Sequence, residues 1–236
     1  MNYQTFQIND QFAVTTVPAT RKMELSDDVN AAIDSIWKNE FLRSQGRLFN
    51  GKLLSMISWD KDQLVGEFVD YKYYLAQTKD PKLEPLLRIR PIAMSGITYS
   101  GNKILFGLRA ETLSQNPLFY ELAPSGGVDP SVAEGNSINI HKLVLKELQE
   151  EAGLIDTDIL SVRLFTLVYE PDEQSFEICT EIHVNPSIAN SKILPVDEYI
   201  RFFWVEPQDV AHFVSRHREK LLPMSLHLLK LKGISA

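Results

Sequence analysis

Nine residues constrain this chain more than any others: Lys146-Glu-Leu-Gln-Glu-Glu-Ala-Gly-Leu154. Wound as a helix at about 100° per residue, they bring Glu147, Glu150 and Glu151 into an arc of roughly 100°. Leu145, Leu148 and Ala152 fall beside that arc, and Gly153 stands where a C-cap should end the helix. The apolar positions require a second layer to cover them, so the three carboxylates sit at the border of a buried face. Like charges three and four residues apart destabilise a helix by about 0.2–0.5 kcal/mol per pair, and burial makes this worse. Lys146 can reach Glu150, but in the weaker order, with the cation N-terminal. A hard divalent cation that takes oxygen ligands would neutralise the cluster. The competing reading is a solvated acidic helix end.

The rest of the chain can supply the covering layer. With 44% hydrophobic and 23% charged residues, 236 residues bury a core without a metal or disulfide staple. Acidic residues outnumber basic ones 31 to 24, for a formal charge of -7, which argues against coating nucleic acid or an anionic membrane. Small phosphorylated ligands stay open, because a few local groups suffice to hold them. Cys179 is the one cysteine, so no internal disulfide forms, and a small buried hydrophobe is the expected role. The opening MNYQTFQIND lacks a secretory pattern, and no apolar run approaches the ~20 residues that cross a bilayer. These features lead us to expect a soluble, cytoplasmic protein with no membrane partner.

Periodicity divides the chain into residues 1–87 and 88–236. The first part reads as a small α+β extension. Phe12–Val17 is a strand ended by Pro18; Ser26 caps a helix with Asp27 and Asp28 in its first turn and an apolar stripe of Val29, Ile33, Ile36 and Trp37. Strand-like patterning then runs from Arg47 to Tyr74, and the polar stretch Thr78–Pro85, with two prolines, is the linker candidate. The second part predicts a hairpin (91–99 and 103–109), a short strand at 119–122, a helix over 137–152, and strands at 163–169 and 176–184. Beyond these come a strand at 201–205, a helix over 208–218 and an amphipathic segment over 221–232. Along 176–184, Phe176, Ile178, Ile182 and Val184 share one face, and Glu177, Cys179, Glu181 and His183 the other. Strands with interposed helices predict an α/β (α+β) fold, a mixed sheet covered by helices on both faces.

Upstream of the acidic helix lies a glycine-rich turn, Pro124-Ser-Gly-Gly127. Together these stretches resemble the Nudix hydrolase signature, which reads Gly, five residues, Glu, seven residues, then Arg-Glu-apolar-x-Glu-Glu-x-Gly-apolar. Lys146–Leu154 matches its second half, with Lys in place of Arg, and Gly127 matches its opening. ILFGLRA before the box and RFFWVEPQDV after it are similar to the family's flanking strands, so the resemblance covers about residues 88–220. Two departures stand out. The box's first Glu would fall at Ala133 or Ile138 by spacing, with Glu134-Gly135-Asn136 as an expanded loop in its place. Lys146 also cannot reproduce the planar fork of Arg.

The resemblance implies a Nudix-type sheet sandwiched between helices and Mg²⁺-dependent cleavage (Mn²⁺ as a substitute) of a nucleoside diphosphate linked to another group. It implies Glu147, Glu150 and Glu151 as metal ligands, with the Gly127 carbonyl as a further one and Glu150 or Glu151 also relaying a proton. A separate loop carboxylate assists in this family; Glu170, Glu173 and Glu177 are the candidates, and Glu177, which starts a strand, is preferred. Arg109 could meet substrate phosphate; the alternative is a surface Arg with a buried stem. The histidines lack metal-ligand spacing, His212 and His217 being i,i+5.

Leu48-Phe-Asn-Gly51, Asp70-Tyr-Lys-Tyr-Tyr-Leu75 and LLPMSLHLL are also similar to the UDP-sugar (UDP-glucose) pyrophosphatase branch. That resemblance implies UMP and a sugar 1-phosphate as products, with Phe68–Tyr74 either helping to form the pocket or filling the small domain's core. An ADP-ribose or NADH pyrophosphatase, and a catalytically weak nucleotide sensor, stay open. The expected partner is a small nucleoside diphosphate derivative; a homodimer is compatible with the sequence.

Overall fold

The computed structural model describes residues 2–18, 25–113, 115–190, 193 and 198–234. The chain opens with strands β1 (Gln4–Phe6) and β2 (Ala13–Val17). Helix α1 (Asp27–Arg43) starts on Ser26, whose hydroxyl accepts from the Val29 amide at 3.4 Å, with Asp27 and Asp28 in the first turn, where the helix dipole favours acids. Strands β3 (Lys52–Trp59) and β4 (Gln63–Asp70) pair antiparallel. The strand expected to continue to Tyr74 stops at Asp70, and Tyr71–Lys79 forms helix α2. Strand propensity of the tyrosines gives way to packing, since helix geometry buries Leu75 and Ala76 together. The expected linker is structured too. Pro81–Leu83 is a 3-10 turn leading into helix α3 (Glu84–Leu87), and Leu83 and Leu87 are buried in a cluster with Ile33, Val69 and Ala76.

The second part follows its predicted order closely. Strands β5 (Ile92–Ser100) and β6 (Lys103–Arg109) form the hairpin, β7 (Tyr120–Leu122) pairs with β6, and β8 (Ser125–Gly127) pairs with β5. A two-residue pair, β9 (Ala133–Glu134) and β10 (Ser137–Ile138), precedes helix α4 (Ile140–Ala152). Strands β11 (Ile159–Glu170), β12 (Ser175–Val184) and β13 (Tyr199–Val205), then helices α5 (Pro207–His217) and α6 (Pro223–Leu231), complete the chain.

The result is a mixed α/β fold with two sheets. The larger runs β1-β11-β12-β5-β6-β13, with β7 and β8 paired to β6 and β5; the smaller runs β3-β4-β2-β10-β9. Both sheets draw on both sides of residue 87. β1 extends the large sheet beside β11, and β10 extends the small sheet beside β2, where the Thr16 amide donates to the Asn136 carbonyl at 2.8 Å. The expanded loop of Glu134-Gly135-Asn136 is thus the turn of a hairpin that continues the N-terminal sheet. Amide-to-carbonyl bonds from Leu54 to Val128 (2.9 Å) and Met56 to Arg90 (2.8 Å) tie β3 to the same region.

Two apolar clusters account for the layering. The first joins Val14, Leu54 and Leu64 of the small sheet, Leu143, Val144 and Leu148 of α4, and the predicted β12 face Phe176, Ile178, Ile182 and Val184. The second joins Cys179 from the opposite β12 face with Ile97, Phe106, Val210, Val214 and Leu228. Alternation along one strand therefore feeds both cores. Cys179 is a fully buried thiol, and burial pushes its pKa up. Each fully buried leucine, such as Leu143 or Leu148, contributes about 1.5–3 kcal/mol. Among the described residues no helix is long and apolar enough to cross a membrane.

Candidate active site

Helix α4 begins on Asn139, whose side chain accepts from the Lys142 amide at 2.9 Å, and ends on Gly153 at φ +66°, the left-handed C-cap the sequence predicts. That frame sets which glutamates turn inward. Glu147 is 8% exposed and Glu151 3%, whereas the Glu150 side chain is 60% exposed. The structure brings Glu147 and Glu151 together beneath β8 and leaves Glu150 on the solvent side, 3.6 Å from Lys146.

Strand β8 covers the inner pair with almost no side chain. The Ser125 amide donates to Glu151 Oε1 at 3.3 Å. Gly126 lies directly on Glu147: a Cβ there would fall 2.6 Å from Glu147 Oε1 and nearer still to its Cδ and Oε2. Only glycine permits this approach. At Gly127 a Cβ would meet nothing.

Charge balance beneath β8 is unequal. Lys146 Nζ bonds Glu147 Oε1 at 3.1 Å and Asp129 Oδ2 at 3.0 Å. Burial works against the Lys146 charge, but Asp129 and Glu147 outweigh it and push its pKa up. Lys146 acts as a point charge on the outer edge of the pair, without the planar fork an Arg would supply. Among the described residues Glu151 has no such partner. Burial, then the charges of Glu121 and Glu147, hold its carboxyl well above the ordinary range, and its Oε2 is buried with no hydrogen-bond partner among the described residues. Burial also raises Glu147. An orphaned oxygen between carboxylates is a position that a proton or a cation should fill.

A cleft of about 560 Å³ opens beside β8 and takes residues from β5, β7, β12 and the start of α6. Arg109, Gly127, Glu170, Glu173 and Glu177, all singled out from the sequence, line it. Glu177 accepts from the Ser95 hydroxyl at 2.8 Å, and burial pushes its pKa up to about 7. Arg109 is held rather than free: its Nη1 is 2.7 Å from Glu121 Oε1 and its Nη2 donates to the Gln115 carbonyl at 3.3 Å. Glu121, 2% exposed, is the residue that motif reading missed. It also accepts from the Tyr199 hydroxyl at 2.6 Å and from the Ser125 hydroxyl at 3.4 Å. Its signal was faint, one acid inside the apolar run Phe119-Tyr-Glu-Leu122. Of the Phe68–Tyr74 segment, Phe68 and Tyr73 pack against core clusters, and Tyr74 both packs on the same cluster as Tyr73 and lines the cleft. His217 is structural, packed at 4.3 Å on Tyr120 and 4.7 Å on Phe213.

Among the described residues no three of His, Cys, Asp and Glu stand together as a finished metal site. Mg²⁺ does not need one, because it commonly takes one or two carboxylates and fills its remaining positions with water and phosphate. Glu147 and Glu151, hard oxygen donors with one oxygen unpaired among the described residues, fit such an ion, and Gly127, at the end of the strand that covers them, lines the cleft. The cleft itself favours a cation with any anionic ligand. Its lining sets Glu121, Glu170, Glu173 and Glu177 against Arg109, which is already paired.

No family model and no curated protein matches this chain. Solved structures with a similar arrangement include a bifunctional NMN adenylyltransferase/ADP-ribose pyrophosphatase from Francisella tularensis, complexed with AMP and manganese ion. It is 12% identical with a TM-score of 0.46, over 88% of this chain and 49% of that one. A NUDIX hydrolase from Alicyclobacillus acidocaldarius is 14% identical with a TM-score of 0.42, over 59% and 89% of the two chains. A MutT protein from Methanosarcina mazei is 21% identical with a TM-score of 0.36, over 51% and 80%. Likeness at this level is coarse, and the reading of the site rests on its residues.

Proposed function

We propose that this chain is a Nudix-type pyrophosphohydrolase that needs a divalent cation, Mg²⁺ or Mn²⁺, and cleaves a nucleoside diphosphate linked to another group. One observation carries the reading: two buried carboxylates, Glu147 and Glu151, lie under a glycine-rich strand at the wall of a cleft, and one oxygen has no partner among the described residues. Glu147 and Glu151 would hold the cation from below, with the Gly127 carbonyl beside them. When bound, the cation draws charge from the diphosphate and lowers the pKa of a coordinated water.

The chain's own residues do the remaining work. Arg109, held in place by Glu121, presents its guanidinium to non-bridging phosphate oxygens. Hydrolysis adds water across the P–O–P bridge, and one proton must leave that water. Glu177, in the cleft with a pKa pushed up to about 7, suits a base that is about half ionised at neutral pH and accepts protons readily. Positioning and charge stabilisation suffice for phosphoryl transfer, so no covalent intermediate is needed. Glu150, exposed and paired with Lys146, takes the outer role of the three helix glutamates.

UDP-glucose is the first substrate to test, on the N-terminal and C-terminal resemblance to UDP-sugar pyrophosphatases. The test is a panel of UDP-glucose, ADP-ribose and NADH with Mg²⁺ or Mn²⁺, followed by release of UMP or AMP. Turnover of ADP-ribose but not UDP-glucose would keep the hydrolase and reject the sugar nucleotide. No turnover of any member would leave a nucleotide sensor as the better account. In an active preparation, Glu151→Gln should lower the rate at least ~100-fold, as loss of focused charge stabilisation does.

A further inference from the structure

The register of the large sheet sets one row of residues across its strands, the first three of which, Gly127, Ala93 and Glu177, line the cleft. Gly127 of β8 stands opposite Ala93, Ala93 opposite Glu177, Glu177 opposite Val168, and Val168 opposite Thr5 of β1. At about 4.8 Å per strand, the β1 end of this row lies roughly 19 Å from β8. Two tyrosines from the N-terminal extension line the cleft near that far end. Tyr3 precedes β1, and its hydroxyl donates to Glu170 Oε1 at 3.3 Å. Tyr74 comes from α2, and its hydroxyl meets the Glu173 carbonyl at 3.2 Å and Oε2 at 3.3 Å. Both therefore grip the turn between β11 and β12.

Their footing is firm. Helix α2 is pinned by buried Gln77, which donates to the Ile89 carbonyl and accepts from the Ile89 amide, each at 2.8 Å, and also reaches Gln174 Oε1 at 3.2 Å. Tyr3 packs on His227 of α6, with ring centroids 4.8 Å apart. Two aromatic side chains fixed through their hydroxyls keep their rings in place at little entropic cost, which suits a flat ligand group.

We infer that Tyr3 and Tyr74 are specificity-determining residues that form the end of the cleft where a ring of the substrate, nucleobase or sugar, is bound. This rests on the diphosphate lying at β8 as proposed above. A diphosphate with a ring at one end then extends along the sheet floor toward β1. The N-terminal extension contributes a wall of the binding site as well as a core of its own.

The test is calorimetric binding with Mg²⁺ of UDP-glucose, ADP-ribose and inorganic pyrophosphate, which carries no ring. Each tyrosine is changed in turn to Phe and to Ala, with folding checked by thermal unfolding. Stacking on an aromatic platform predicts at least about tenfold weaker binding of the ring-bearing ligand for Tyr74→Ala, with most of it restored in Tyr74→Phe and pyrophosphate within about twofold of wild type. Tyr3 should behave in the same way. Parallel weakening of pyrophosphate would mean a bracing role only and would overturn the inference. So would unchanged binding of every ligand, or a wild-type protein that binds pyrophosphate as tightly as the ring-bearing ligands or binds none of them. Selective weakening in a protein that hydrolyses nothing would uphold the ring site and sink the hydrolase; active protein indifferent to both Ala variants would do the reverse.

Discussion

Gly126→Ala is the sharpest perturbation available, because the added methyl lands on the group that matters. The new Cβ would sit 2.6 Å from Glu147 Oε1 and nearer to two other carboxylate atoms. Ordinary contact needs about 3.5 Å, so the carboxylate must retreat by roughly 1 Å. The retreat strains the Lys146–Glu147 bond, now 3.1 Å, in a residue only 8% exposed. Overpacking of this kind costs about 1–3 kcal/mol, or roughly 2–12 °C in Tm for a chain of this size. The effect on rate should be larger in proportion. A 1 Å misplacement of a positioning group costs on the order of 100-fold, about 2.7 kcal/mol in the transition state. The assay is kcat/KM at saturating Mg²⁺ beside thermal unfolding in chelator. Gly127→Ala, whose Cβ meets nothing, controls for the stability term and should melt with the wild type. Wild-type turnover by Gly126→Ala would show that the Glu147 position has no catalytic weight.

Three further outcomes follow from the same site. Burial raises the Glu147 and Glu151 pKa values, so the folded chain binds more protons than the unfolded one above the ordinary carboxylate range, and stability must fall as pH rises through that window. In chelator, Tm should therefore be lower at pH 8 than at pH 5, with Glu151→Gln flattening the slope and Mg²⁺ or Mn²⁺ raising Tm most at pH 8; a flat wild-type profile would contradict this. Glu177, near about 7, should give kcat/KM an acidic limb that Glu177→Gln removes, and a limb that survives the substitution belongs to another group. Arg109→Ala strands a carboxylate that is 2% exposed; Glu121 keeps its Tyr199 and Ser125 bonds, so the loss should sit near about 3 kcal/mol, and Arg109→Ala/Glu121→Gln should recover part of it in denaturant unfolding.

What the sequence revealed depended on how local the signal was. The 137–152 helix is observed as Ile140–Ala152 with Gly153 at its cap, and the 208–218 helix as Pro207–His217, because caps and 3.6-residue periodicity lie within a few residues of each other. Tyr71–Tyr74 reads as strand because its aromatics favour strands in isolation; Leu75 and Ala76 set the helix Tyr71–Lys79 by burying together, Ala76 against residues distant in sequence. The three-residue β1 and the two-residue β9 and β10 exist only through partners, and no local pattern announces them. At the site, helical spacing located the glutamates but not their orientation. An arc of roughly 100° is wide enough that its edge, Glu150, faces water while Glu147 and Glu151 face in. Glu121 stayed hidden because its partners, Arg109 and Tyr199, are 12 and 78 residues away.

The two-residue hairpin ahead of α4 also has a mechanical consequence. Because β10 is knitted to β2 and β1 to β11, pulling on the amino terminus loads the same hydrogen-bonded fabric that carries the acidic helix. Scission after residue 87 would leave two pieces with raw strand edges, each seeking the other or a stranger's edge. Heat should consequently melt the protein in one step, with the cleft lost at the same temperature as the amino-terminal sheet.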